Sequence, residues 1–191
     1  MLDTILKWDT ALFYLLNGVL INPFLDAVMP FITNKTNFLW LIIISWFAIF
    51  MLTGSKGKRI ALVILLVILI SDQTAGLMKH IFHRPRPCTV LTDIRLLVGC
   101  GASYSFPSNH AANIFAVMTY LSYHYRRLSP IFLIIAFLVA YSRIYVGVHY
   151  PMDVLGGIFL GLIISSVIII TERWIIARWR DKTSCNTENI S

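Results

Sequence analysis

Charge is what this sequence has least of. Only 13% of its 191 residues are charged, against 58% hydrophobic, and a chain so composed cannot clothe a soluble domain of this size. Acidic residues are the scarcest: nine Asp and Glu stand against sixteen Lys and Arg, a formal net charge of +7. The basic residues are dispersed between apolar runs, and no basic helix, zinc spacing or aromatic RNA-binding signature goes with them, which excludes a nucleic-acid partner. Cysteine is sparse, and the spacing of Cys88, Cys100 and Cys185 implies no zinc site. Internal repeats, low-complexity tracts and domain linkers are also absent, so residues 1–191 read as a single domain. No short apolar core with a small-residue cleavage site follows Met1–Asp9, and the N-terminus is expected to be uncleaved.

What the chain has is apolar length. A crossing takes about 20 residues at a rise of roughly 1.5 Å each. Five segments approach that: 31–53, 60–78, 110–125, 131–148 and 154–172, the third being short. An earlier stretch, 10–30, is broken by Asn17, Gly18, Asn22, Pro23 and Asp26. It reads as a crossing, a kinked crossing or an interfacial helix. The expected fold is therefore all-α, an integral membrane bundle of about six transmembrane helices, with a soluble tail over 181–191.

Three polar clusters interrupt the apolar sequence, each at the end of a segment: Lys79 with Arg86 and Pro87; Pro107, Ser108, Asn109 and His110; and Ser142, Arg143, His149 and Asp153. Charged groups are costly beside hydrocarbon, and their gathering at segment ends points to a site at a membrane surface. Successive crossings reverse direction. The first cluster closes one crossing, the second opens the next, and the return through 131–148 delivers the third to the same face. The opposite face receives Lys56, Lys58, Arg59, Arg126, Arg127, Arg173, Arg178, Arg180 and Lys182, plus Lys7 if the first element crosses. The positive-inside rule makes that face cytoplasmic, so the site opens outward. Cys88 and Cys100 fall in the outward loop, either as a disulfide or as two free thiols.

Each cluster has a chemistry. Ser108 or Asn109 can cap the helix that follows, whose first-turn N–H groups and dipole form a cradle for an anion. His149 and Asp153 stand four apart with Pro151 between them as a natural first-turn residue. On one side of a helix, the carboxylate can hold one imidazole nitrogen and leave the other free as a nucleophile. Considered alone, that pair is more often a structural hydrogen bond or two metal ligands than a catalytic pair. Lys79, Arg86 and Arg143 tip the balance, because three fixed cations favour a phosphate and oppose a metal ion. Asp72, inside a crossing, is assigned a supporting hydrogen bond to Gln73 or a neighbouring helix. His80, His83 and Arg84 are assigned no role.

Together the clusters resemble the type-2 phosphatidic acid phosphatase superfamily of integral membrane lipid phosphatases. The family pattern is Lys, six residues, Arg-Pro; Pro-Ser-x-His; and Ser-Arg, five residues, His, three residues, Asp. Here it reads Lys79 with Arg86-Pro87, Pro107-Ser108-Asn109-His110, and Ser142-Arg143 with His149 and Asp153, within a motif-bearing stretch of about 60–175. Asn109 departs from the glycine frequent at its position. The resemblance implies that His149 is the nucleophile, giving a phosphohistidine, that Asp153 orients it, and that His110 is the general acid. It further implies that Lys79, Arg86, Ser108, Asn109 through its backbone, and Arg143 hold the phosphate, and that neither a metal nor another cofactor is needed. The expected protein is a bacterial inner-membrane hydrolase with its site facing the periplasm or exterior. Its partners are the bilayer and a lipid phosphate. Polyprenyl (undecaprenyl) pyrophosphate or lipid A 1-phosphate rank ahead of phosphatidylglycerol phosphate and phosphatidic acid. From another class, a lipid-phosphate-binding or translocating protein needs the cations but not the ordered His and Asp. Oligomeric state is not legible.

Overall fold

A computed structural model describes residues 2–188. Its elements are α1 (Leu2–Tyr14), α2 (Pro23–Thr33), α3 (Leu39–Leu52), α4 (Gly54–Phe82), the single turn α5 (Pro87–Val90), α6 (Asn109–His124), α7 (Ser129–Tyr145) and α8 (Pro151–Glu188). Every regular element among the described residues is thus helical, as the long apolar runs require, because only intra-segment hydrogen bonds satisfy a backbone in hydrocarbon. α8 runs on to Glu188 where a soluble tail from Asp181 was expected. The side chains of that stretch, Cys185 included, lie outside the described ones.

Four stretches are long and apolar enough to cross a membrane: Lys35–Leu52, Gly54–Val90, Arg126–Tyr145 and Pro151–Arg180. Counting the bent pair Asp3–Val19 and Pro23–Thr33 as one span makes five. The expected six are not reached by length and apolarity. One reason is α6, whose 16 residues are too few by themselves. The other is the first element, which turns through 116° between its two legs. Asn22 causes that turn: its side chain caps α2 by accepting from Phe24 N, and Pro23 opens the helix.

Both legs pack at one end of the bundle. On α1 and the π-helical turn that follows it, Asp9, Phe13 and Asn17 recur every four residues as the buried face, while Trp8 and Leu12 are exposed. Tyr14 donates to Thr92 O, and Asn17 donates to both Arg95 O and Tyr145 O while accepting from Arg95 N. From α2, Asp26 accepts from Tyr145 and pairs with Arg95, and Thr33 holds Arg143 at 2.5 Å. All these partners lie in the loop after α4 or at the end of α7.

α6 sits against α4, α7 and α8, with Ala112, Phe115, Ala116 and Tyr120 buried along it. Its approach to α8 depends on small residues, as interhelical contact in lipid commonly does. A Cβ on Gly161 would stand 2.4 Å from Ala112 O, and one on Gly157 would stand 2.5 Å from Ser108 O. The two helices therefore meet backbone to backbone, which brings the first turn of α6 beside the first turn of α8.

Candidate active site

Four chain segments deliver the three clusters to one place. α4 ends in Lys79 and turns out at His83, whose left-handed backbone (φ 49°) accompanies an N–H bonded to Lys79 O. Arg86 follows in the connection to α5. Ser108 caps α6, and its N–H donates to Asp153 O at 2.9 Å, joining the starts of α6 and α8. Arg143 closes α7. The turn after α7 passes through Gly147 at φ +87°, where a Cβ would meet Arg95 O at 2.5 Å, so glycine is required there. That turn presents His149, and Pro151 starts α8 with Asp153 in its first turn. The long loop between α4 and α6 is closed by a Cys88–Cys100 disulfide.

The His149 ring is buried and faces two ways. Nδ1 lies 3.6 Å from Asp153 Oδ2, with Ser105 Oγ at 3.4 Å beside it; Nε2 lies 3.4 Å from Arg86 Nη1. Asp153 Oδ2 also accepts from Tyr150 N at 2.8 Å and from Ser105 Oγ. Its other oxygen takes Arg84 Nη1 at 2.8 Å. Burial is the dominant influence on His149, with the Arg143 and Arg86 charges acting the same way, and together they outweigh Asp153; the imidazole is pushed down from 6.5 to about 4. It is neutral at pH 7.

Arg86 stands beside Nε2, and it and the other two cations of the motifs, Lys79 and Arg143, are buried. Their partners are neutral. Lys79 Nζ donates to Tyr104 O and Ser105 O, and Arg86 to Ser103 O, Ser103 Oγ and Val148 O. Arg143 Nη1 donates to Thr33 Oγ1. The nearby carboxylate, Asp153, is ion-paired to Arg84 instead. Two polar atoms, Arg143 Nε and Ser108 Oγ, are buried without a hydrogen-bond partner. Unpaired buried cations are expensive, and this arrangement is complementary to a multi-oxygen anion. His110 stands on the first turn of α6, near enough to Arg143, Lys35 and Arg86 to feel their charges.

The eight residues singled out by spacing thus gather at one end. Asn109 contributes its place in the cap, while its side chain turns away and donates to Asp72 Oδ1 at 3.0 Å, as Asn113 does at 3.2 Å. The supporting role assigned to Asp72 is therefore filled by a neighbouring helix. No group of three or more His, Cys, Asp or Glu suited to a metal occurs among the described residues. Spacing missed Ser105, Thr33, Asp9 and Arg84. Of these, Arg84-Pro85 directly precedes Arg86-Pro87, and that doubling was the one available signal.

The sequence model of the PAP2 superfamily matches residues 60–177. Among curated relatives, a lipid A 4'-phosphatase of Porphyromonas gingivalis is 30% identical over 188 residues, covering 93% of this chain and 78% of its own. An undecaprenyl-diphosphatase of Bacillus subtilis, BcrC, is 29% identical over 144 residues, 75% of this chain and 73% of its own. Among solved structures, a transmembrane PAP2 type phosphatidylglycerolphosphate phosphatase from Bacillus subtilis superposes with a TM-score of 0.72 at 29% identity, covering 91% of this chain and 88% of that one.

Proposed function

The chain belongs to the PAP2 superfamily, and from that premise we propose that it hydrolyses a phosphate monoester or pyrophosphate on a membrane lipid through a phosphohistidine. The observation that carries this reading is the orientation of His149. Nδ1 faces Asp153 and Ser105 while Nε2 faces Arg86, one of three buried cations of the motifs that lack carboxylate partners. With its Nδ1 proton directed at Asp153, the neutral ring offers a lone pair on Nε2 where a phosphate would sit.

In the first step Nε2 attacks phosphorus, an N–P bond forms and the bond to the leaving oxygen breaks. His110 gives that oxygen a proton. Water then attacks the phosphohistidine as His110 takes its proton, the N–P bond breaks, and phosphate departs with His149 neutral again. Lys79, Arg86, Arg143, Ser108 and the first N–H groups of α6 bear the charge that develops on the equatorial oxygens. Asp153 steadies the imidazolium character that grows on His149. The donor set supplies cations where a metal would need anionic or neutral ligands, so the reaction proposed is metal-independent.

The membrane arrangement proposed has α3, α4, α6, α7 and α8 crossing, with α6 as a short central helix. α1 and α2 lie at the outer interface around the site. The site opens away from the cytoplasm of a bacterial inner membrane, since Arg126, Arg127, Arg173 and Arg178 lie at the other end. Polyprenyl pyrophosphate and lipid A 1-phosphate are ranked as the leading substrates, ahead of phosphatidylglycerol phosphate and phosphatidic acid, on family resemblance in size and topology.

The test is phosphate release by purified protein from these four lipids side by side, with and without a chelator. Release that survives chelation and disappears in His149→Ala is expected. Absence of release from all four, or full activity in His149→Ala, overturns hydrolysis and leaves lipid-phosphate binding or translocation. Dominant turnover of phosphatidic acid overturns the substrate ranking.

A further inference from the structure

We infer that Arg84, gripped by Asp9 of α1, is a positioning residue for the Asp153–His149 pair, so that the N-terminal helix forms a working part of the site. The inference rests on the phosphatase reading above. Arg84 is a two-pronged clamp: Nη1 holds Asp153 Oδ1 at 2.8 Å and Nη2 holds Asp9 Oδ2 at 2.6 Å. Asp9 Oδ1 in turn accepts from Met152 N at 2.9 Å, one of the first-turn N–H groups of α8 that no helical carbonyl can reach. Below the clamp, the guanidinium lies 4.1 Å from the centre of the Tyr150 ring. Both carboxylates are fully buried and Arg84 is only 17% exposed, so the three groups form a closed unit.

Geometry gives this unit its effect. A carboxylate turns about its terminal bond, and Asp153 has to keep Oδ2 toward His149 Nδ1. With Oδ1 fixed by Arg84, that rotation is stopped. A planar guanidinium can satisfy two carboxylates at once along different N–H directions; an ammonium, as a point charge, cannot reproduce that fork. The charge matters as well. Arg84 stands against Asp153, the carboxylate that has to balance a cationic His149, and Asp9 offsets part of that positive charge. The other charged or titratable groups of the site are Lys79 from α4, Arg86, Arg143 from α7 and His110 from α6. None of these is touched when Asp9 or Arg84 is exchanged.

The experiment uses full-length protein with 15N-labelled histidine, of which there are five, together with steady-state phosphate release from the best lipid substrate. Arg84→Gln is expected to lower kcat by about tenfold to a hundredfold, the scale on which loss of a group orienting a histidine is felt, with KM changed less than about twofold. Removing its positive charge moves the His149 titration up by about one pH unit, and Asp9→Asn, which leaves Arg84 uncompensated, moves it down. Arg84→Lys keeps the charge: its titration stays near the wild-type midpoint while kcat remains low, and it stands in if Arg84→Gln fails to fold. Unchanged kcat in the Arg84 variants, or midpoints that move the same way for Asp9→Asn and Arg84→Gln, overturns the inference while wild-type turnover still supports hydrolysis. A wild-type protein that releases no phosphate overturns both.

Discussion

The two ends of the bundle handle buried charge in opposite ways. At the end away from the site, buried Glu172 on α8 pairs with Arg59 at 2.7 Å and accepts from Tyr120 at 2.9 Å, with His124 Nε2 at 3.2 Å. One carboxylate is met by a cation, a phenol and an imidazole, and the cluster ties α4, α6 and α8 together. At the site end Lys79, Arg86 and Arg143 repel one another and are bonded to carbonyls and hydroxyls. The first arrangement is complete without a ligand. The second holds electrostatic energy that an anion releases, which is how a site built for binding differs from a structural lock.

The contrast is broken most severely at His149, the proposed nucleophile. His149→Ala is expected to reduce phosphate release by about 10⁴-fold or more, while thermal unfolding stays at or above the wild-type temperature. Loss of fold together with activity would mean that this end is structural like the other.

A smaller effect, of about 10²- to 10³-fold in kcat, is expected for Arg143→Gln, which removes one of three mutually repelling cations. Its melting temperature should not fall. In the reverse experiment, Glu172→Gln strands Arg59 and weakens two hydrogen bonds. It should cost about 1–3 kcal/mol of stability and leave kcat within about twofold in the protein that remains folded. Denaturation curves and turnover measured on the same preparations sharpen the contrast or dissolve it. Gly161→Ala disturbs both ends at once, because its new Cβ is driven into the backbone of α6; a loss of about 1–3 kcal/mol is expected, with activity falling as α6 moves from α8.

The smallest effect is a titration. With its imidazole held at about 4 by burial, His149 should stay neutral as pH falls through 6.5 and take a proton only in the more acidic range. The same shift means that the unfolded chain binds the proton first, so stability falls as pH drops from about 6.5 toward 4. Nitrogen chemical shifts of the labelled ring check the midpoint; a value near 6.5 would show that the pocket does not desolvate it.

Much of the site was legible because its residues occupy fixed offsets at segment ends. Lys79 to Arg86, Ser108 to His110, and Arg143 to His149 and Asp153 each fall within a turn or a short loop, where spacing along the chain translates into proximity. The N-terminal arm had no such offsets. Asp9, Asn17, Asp26 and Thr33 belong to no motif, and each finds its partner more than 70 positions away. Asn17 and Asp26, as interruptions of the apolar run, argued against a plain crossing, yet nothing local said what any of the four would hold. Ser105 was hidden for a similar reason: a serine in a polar loop carries no signal until α8 brings Asp153 to it.

Sequence alone determined the helical class, since a backbone in hydrocarbon has to satisfy itself, and it determined the common end of the three motifs, since crossings alternate in direction. It also determined the chemical complement of the site, because side chains carry their charge wherever the chain places them. Tertiary structure decided the rest. The direction of each His149 nitrogen, the neutral partners of the cations, and the engagement of Asp153 by Arg84 depend on helices distant in sequence meeting at glycines, and burial there sets which form of the imidazole prevails.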